Sequence, residues 1–400
     1  MKILSLTIDF DGVGYFRTLN PHSYIINDDI SIEIRLIGDP TLNLIDENYM
    51  KQFNILIYNK DIPFRNADIY NKFINIIKKY NIALVYDIDD YWILSPTHVN
   101  YKMWKKSKSK EKTEQILKNS DYVVTTTPLF ANRIKSLNPN VEVLENALNP
   151  TEYQWNYKNK IKSDRVRFLW GGGISHMPDL KLLKDSFKMF DDNFMNKSQL
   201  YLCGFDLRIR TEHGLIKGDP KTNQWSFFEH IFTNNGKWVK DYEYKNFLNK
   251  YDDTNYGINE KFRYNNFYQR RWTKPILTYG TMYQEADVVI VPLKNNMYFN
   301  YYKSQLKVIE AGIYKLPIIA SNYGPYTIDI EDGVDGFLID EDKPNLWYEK
   351  MKWFVNNPSA IIDMGEKLHE KILNKYSMDV VNNKRIDLYK KIINMKNERV

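Results

Sequence analysis

Cysteine is almost absent: Cys203 is the single one in 400 residues. One thiol excludes an internal disulfide framework and a cysteine-rich zinc site, a usage that fits a reducing compartment, so the expected location is the cytoplasm. Long hydrophobic runs are absent too. None approaches the ~20 apolar residues of a spanning helix, so no transmembrane segment is expected and any membrane contact is peripheral. The opening "MKILSLTIDF" is too short for a signal peptide, meets acidic residues at once and shows no small-residue cleavage site; it reads as a first strand. Tandem repeats and low-complexity tracts are missing. A charge excess of one sign is nearly so: 56 Lys and Arg oppose 50 Asp and Glu, a net +6. That balance permits anionic partners such as nucleotide phosphates, lipid headgroups or DNA, but it is no nucleic-acid signature.

What is present is enough apolar residue, 43%, for real cores, in a chain longer than one core usually serves, so two domains are expected. The first third alternates β-branched runs (2–8, 31–37, 54–59, 82–89, 122–127, 141–146) with helical stretches such as 68–81 and 109–120. A polar, turn-rich passage at 146–164 sets a boundary around 150–165, after which the alternation restarts: strands at 167–172, 198–204, 286–293, 316–322 and 335–340, with a helix from about Asp179. Strands alternating with helices imply βαβ units on parallel sheets, hence an α/β class. Between Gly204 and Tyr283 the pattern loosens into an insertion, a lid or a short β element; residues 345–396 are strongly helical.

Four stretches carry candidate chemistry. In "DFDGVGYFR" (9–17), Gly12 and Gly14 let amides approach a phosphate or sugar and Arg17 offers a bidentate anion contact, although a plain tight turn also explains the glycines. "YDIDDYW" (86–92) ends a strand with Asp87, Asp89 and Asp90: an active-site edge, a hard-cation site, or a helix cap and solvated turn. In "RFLWGGGISHMPDL" (167–180), Gly171, Gly172 and Gly173 leave room for a bulky ligand, and His176 serves either a phosphate or a structural hydrogen bond. In "NNMYFNYYKSQLKVIEAGIYKLPIIASN" (295–322), Asn300 is the expected N-cap, with the amides of 301–304, Lys303 and Lys307 forming an anion site. Glu310 falls on the same helical face as Leu306, Ile309 and Ile313, so its carboxylate needs a Lys or Arg, backbone amides, or a ligand.

Together these stretches resemble the retaining GT-B glycosyltransferases, in the bacterial and phage branch. The resemblance rests on "GVGYFRTLNP" (12–21), "YDIDD" (86–90), "WGGGISHMPDL" (170–180) and "KSQLKVIEAG" (303–312), in the expected order over most of the chain. It implies two Rossmann-like domains with parallel sheets facing a cleft: an acceptor-side domain over 1–155, a nucleotide-sugar-binding domain over 156–375, and a final helix, 376–400, returning to the first. Glu310 matches the acid that binds the donor ribose; the surroundings of Lys303 and Ser304 match the diphosphate and sugar subsite. The chain departs from the family in two respects. The first of two glutamates eight positions apart falls on Tyr302, which leaves Asn300 and Tyr302 as sugar-contact candidates. Nor does "WGGGISH" carry the Arg and Lys that commonly neutralise the diphosphate, which leaves Arg17, Lys303 or Lys307.

The implied activity is a metal-independent, hexosyltransferase-like transfer, with retention, from a nucleotide diphosphate sugar to an acceptor hydroxyl, with no other cofactor. Lys303 would stabilise the departing diphosphate and Asp89 or Asp90 orient the acceptor; Gly12, Gly14, Arg17, Gly172, Gly173, His176, Ser304, Lys307 and Glu310 would hold the donor. A glycan, a lipid-linked group, a protein or a DNA base all remain open as acceptor, as does the oligomeric state, and a phage-encoded protein would work in the host cytoplasm. Two rivals stand: an enzyme acting on modified bases of duplex DNA, and a non-catalytic sugar- or nucleotide-binding protein of the same shape.

Overall fold

The structure is a computed structural model that describes residues 1–398 apart from 60–61, 63, 65, 97, 99, 195, 207, 212–213, 218–224, 226–267 and 296. The chain divides into two compact units. The first comprises Met1–Asn149, Met297–Leu306 and Asn374–Val400, the second Pro150–Asn296 and Lys307–Leu373.

The first unit is built on a six-stranded parallel sheet: β1 (Lys2–Thr7), β2 (Ser31–Leu36), β3 (Ile55–Tyr58), β4 (Ala83–Ile88), β5 (Tyr122–Thr125) and β6 (Val141–Val143), in the order β2-β1-β3-β4-β5-β6. All residues of β3, β4 and β5 are buried, as expected where both faces of a parallel sheet are covered. The period-two alternation sends Leu4, Leu6, Leu56 and Leu84 to one face, against Phe73, Ile76 and Ile77 of helix α1 (Ala67–Lys79). It sends Ile3, Ile55, Ile57, Val85 and Val124 to the other, where Leu388, Tyr389 and Ile392 of the last helix (Met378–Asn397) cover them. Helix α1 starts where the Asn66 side chain accepts a 3.0 Å bond from the Ile69 amide. Helices α2 (Tyr101–Lys106) and α3 (Ser109–Asn119) follow β4.

The second unit repeats the plan with β7 (Val166–Gly171), β8 (Ser198–Phe205), β11 (Tyr268–Trp272), β12 (Val288–Val291), β13 (Ile318–Ser321) and β14 (Gly336–Ile339), in the order β11-β8-β7-β12-β13-β14, all parallel. Its core joins Phe168 and Trp170 to Phe187, Phe190, Trp347 and Phe354. Every strand read from the sequence is present. Three more lie in the 204–283 stretch left open above: β11, and a hairpin of β9 (Arg208–Thr211) and β10 (Gly214–Lys217). Residues 226–267 of that stretch lie outside the described residues.

In each sheet the chain builds outward one way and then reverses, so strand order has a switch point: between β1 and β3 in the first unit, between β7 and β12 in the second. Ligands of open α/β sheets bind beyond the carboxyl ends of strands at such points. Among the described residues no helix is long and apolar enough to cross a membrane.

Candidate functional site

The candidate site of the second unit lies at its switch point. Strand β7 runs out into Gly171–Gly173, and the three glycines are not equivalent. A Cβ on Gly171 would come 3.0 Å from the Met282 thioether, and one on Gly172 3.0 Å from the Trp170 ring. A Cβ on Gly173 would meet nothing within 4 Å. Packing accounts for the first two; the third borders open space. Beyond them His176 sits with its Nδ1 2.9 Å from Asp179 Oδ2, while Asp179 Oδ1 accepts a 2.8 Å bond from the Lys294 amide, which follows β12. Asp179 is 2% exposed, so it fixes the partly exposed imidazole from inside the unit. Asp179 thus ties the turn after β7 to the turn after β12.

The helix carrying Glu310 begins at Leu306 and ends at Ile313. This corrects the expected N-terminus at Asn300. A short separate turn, Tyr298–Tyr301, precedes it with Met297 in the capping position, so Lys303 and Ser304 lie in a connection rather than on the helix. The amides at the N-terminus therefore belong to residues from Leu306 onward. Glu310 is fully buried among Val308, Ile309, Ala311 and Ile313. Its Oε2 accepts from Lys307 Nζ at 2.9 Å and from the Tyr283 hydroxyl; Lys307 donates also to the Tyr279 hydroxyl. Internal pairing thus accounts for one carboxylate oxygen. Oε1 is buried with no hydrogen-bond partner among the described residues. An orphaned carboxylate oxygen in a folded core is costly unless a donor arrives.

The electrostatics of the cluster follow from its burial. Burial pushes the Tyr279 hydroxyl up to about 12, with the Glu310 charge acting in the same direction. Tyr283 is raised well above its ordinary value by the same two causes. For Lys307, burial works against the charge, but Glu310 and Tyr279 outweigh it and hold the ammonium above its usual range. Tyr279 and Tyr283 escaped the sequence reading. The signal that could have found them was the donor requirement of a buried carboxylate, which the sequence does not locate.

The remaining candidates belong to the first unit. Gly12, at φ +40°, occupies the left-handed region, and a Cβ on Gly14 would overlap the Asp9 carbonyl oxygen. The turn requires both glycines. The expected outward role of Arg17 is corrected: its side chain is 1% exposed and its guanidinium is spent inside. It donates to both Asp87 oxygens at 2.9 and 3.0 Å, to the Leu144 carbonyl at 2.7 Å and to Asn146 at 3.2 Å. Burial raises the Asp87 carboxyl above its ordinary value and Arg17 opposes the shift. Asp89 is half-buried and Asp90 exposed. Asn300 is buried, and Tyr302 joins an aromatic group with Tyr91 and Phe130 at 4.8 and 5.7 Å between centroids. Lys303 stands 5.2 Å over the Phe299 ring. Gln305, just before the helix, is 1% exposed with neither amide atom hydrogen-bonded among the described residues, a feature no motif signalled. Among the described residues no group of three or more His, Cys, Asp or Glu is placed to hold a metal ion.

Comparison with known proteins bears on the fold and on one segment of the chain. Residues 261–357, which include the Glu310 helix, match the family model described as Glycosyl transferases group 1. A curated relative, the poly(ribitol-phosphate) alpha-N-acetylglucosaminyltransferase of Staphylococcus aureus (strain COL), is 36% identical over 86 residues; the match spans 21% of this chain and 17% of that protein. Among solved structures, sucrose-phosphate synthase of Thermosynechococcus elongatus superposes with a TM-score of 0.65 at 11% identity, covering 99% of this chain and 100% of that one. HepE of Anabaena, in complex with UDP and glucose, gives 0.60 at 11% identity over 98% and 99%. TarM gives 0.51 at 18% identity over 86% of this chain and 57% of its own. The fold is that of the GT-B glycosyltransferases, two Rossmann-like units each on its own parallel sheet, and the Glu310 segment is similar in sequence to the group 1 family.

Proposed function

We propose that this protein is a retaining glycosyltransferase that takes its sugar from a nucleotide diphosphate donor held by the second unit. One observation carries the reading: Glu310 is held rigid through Oε2 by Lys307 and Tyr283 while Oε1, equally buried, lacks a donor. A ribose hydroxyl of the nucleotide supplies that donor. The diphosphate lies toward the start of the same helix and the Gly172–Gly173 turn, where backbone amides, the helix dipole and His176 favour negative charge. The same groups stabilise the diphosphate as it departs, without a metal. Lys307 neutralises Glu310 and is therefore not the principal phosphate contact. The Anabaena neighbour's UDP makes uridine nucleotides the first donors to try.

The test is calorimetric titration with UDP and UDP-sugars. Glu310→Gln keeps the shape and, with its carbonyl oxygen accepting from Lys307 and Tyr283, puts an amide NH2 where Oε1 stood, so the acceptor for the ribose hydroxyl is lost. Affinity should fall about tenfold or more, the worth of a charge-assisted hydrogen bond of roughly 1.5–3 kcal/mol. The melting temperature should fall as well, because Lys307 loses its counter-charge, so affinity is read below the variant's own transition. Equal affinity in the two proteins would remove Glu310 from the donor site. The non-catalytic alternative gains from one observation, the packing of Tyr302 in an aromatic group where an acid was expected. Product formation from any nucleotide sugar dismisses it.

A further inference from the structure

The first unit holds a cavity of ≈ 520 Å³ that none of the donor-site residues lines. Phe73 and Leu84, both nearly fully buried, form its floor; Tyr70 and Ile74 of α1 and Ile116 of α3 form its walls. The polar groups facing it come mainly from one side of α3, where Lys112, Gln115 and Asn119 fall at successive turns. Among the described residues no carboxylate lines it. Its size is that of a small-ligand site, of order 300–1,000 Å³. A sugar or nucleotide would lose its water hydrogen bonds against such walls, whereas a hydrocarbon chain would not.

The neighbouring sequence fixes the charge of the occupant. Residues 102–112, spanning α2 and the start of α3, contain six lysines and one glutamate, a surplus of five positive charges against a net +6 for all 400 residues. Lys102, Lys105, Lys106 and Lys108 are exposed, and among them Met103 stands 70% exposed. Exposed lysines around an exposed apolar side chain suit a bilayer surface, where the stems lie along hydrocarbon and the ammonium groups reach phosphates. We propose that this cavity is a lipid site: it takes an acyl chain of an anionic phospholipid from a bilayer, while the lysines of 102–112 hold the headgroup phosphate. The site is separate from the donor site and does not depend on the activity proposed above.

The experiment is sedimentation of the full chain with vesicles of phosphatidylglycerol in phosphatidylcholine and with phosphatidylcholine alone, in low salt and at about 0.5 M salt, where the Debye length is roughly 4 Å. The wild type should bind the anionic vesicles at both salts and the neutral ones weakly. Lys105, Lys106 and Lys112 changed together to Glu should weaken binding more than about tenfold, because each basic residue near an anionic surface contributes measurably. Ala67→Trp, from an exposed position lining the cavity, and Ile74→Asn should keep low-salt binding and lose the salt-resistant part. Because Ala67 lies outside the core, its variant keeps the reading possible if Ile74→Asn does not fold. Salt-resistant binding unchanged in both cavity variants overturns the proposal, as does equal binding to neutral vesicles. Displacement by inorganic phosphate at fixed ionic strength would reassign the site to free phosphate, and stronger binding to duplex DNA than to vesicles, indifferent to the cavity variants, would reassign it to nucleic acid. Nucleotide titration of each variant serves as the control and should be unaltered.

Discussion

Gly173 separates what the fold requires from what a ligand requires. Its backbone, at φ −91° and ψ 172°, is open to any residue, and a Cβ there meets nothing within 4 Å. Gly173→Ala should leave stability unchanged or raise it by up to about 1 kcal/mol, since alanine restricts the unfolded chain. If the donor diphosphate packs on this turn, the same methyl group overfills the site, and nucleotide affinity should fall about tenfold, the usual scale of one intrusive carbon. Calorimetry with UDP decides it, and undiminished affinity takes the turn out of the donor site. The contrast with Glu310 shows what a sequence discloses of a residue. Periodicity put Glu310 on a buried face, and Lys307, one turn earlier, was readable as a partner. Tyr283 was not, because it reaches the carboxylate from 27 residues away on another element. The orphaned Oε1 was beyond reach for the same reason: it is a statement about every donor nearby in space.

Elements were legible where burial was two-sided. The strands of both sheets appear as uninterrupted β-branched runs because helices cover each face, and their order along the chain already implied parallel pairing. The helix start was not legible. Asn300 satisfies the composition of a cap, but Phe299 and Tyr302 pack into the first unit's apolar cluster and the chain turns before it enters the helix at Leu306. Arg17 misled in the same way, since an arginine after a glycine turn is equally suited to an anion outside and to a carboxylate inside. Here the carboxylate is Asp87 at the end of β4, so the pair joins the segment after β1 to a strand two places along the same sheet. Arg17→Leu should destabilise by about 3–5 kcal/mol, the cost of leaving one partner of a buried pair alone. Urea unfolding at unchanged slope measures it. The double variant Arg17→Leu with Asp87→Leu should recover part of the loss, the rest being the Leu144 carbonyl and Asn146 side chain left without their Arg17 donor, and a single variant within about 0.5 kcal/mol of wild type would show that the pair is peripheral to stability.

At the scale of the whole molecule, two units with separate cores need not unfold as one, so one melting temperature is an incomplete description. Acid should distinguish them. In the first unit His22 is 5% exposed, with Nε2 2.7 Å from the Tyr389 hydroxyl. Burial first, and then the charges of Arg385 and Arg17, hold its imidazole well below the ordinary 6.5. His98, in the same unit, is lowered by burial and by Lys303. A lowered folded value means that below about pH 6.5 the unfolded chain binds protons the folded unit does not accept. Stability is therefore complete above that pH and is lost as pH falls, by about 1.4 kcal/mol per pH unit for each such histidine. The second unit's His369 is lowered by burial as well, with the Gly312 carbonyl acting against the shift. If the second unit holds the donor as proposed, added UDP identifies its transition, because a ligand of the folded state raises only the transition of the unit that binds it. The transition that UDP leaves in place should then fall steeply between pH 6.5 and 5, and His22→Gln should remove about one proton's worth of that slope. If the variant retains the wild-type slope, the acid sensitivity arises elsewhere and His22 is not the buried neutral group that couples the turn after β1 to the last helix.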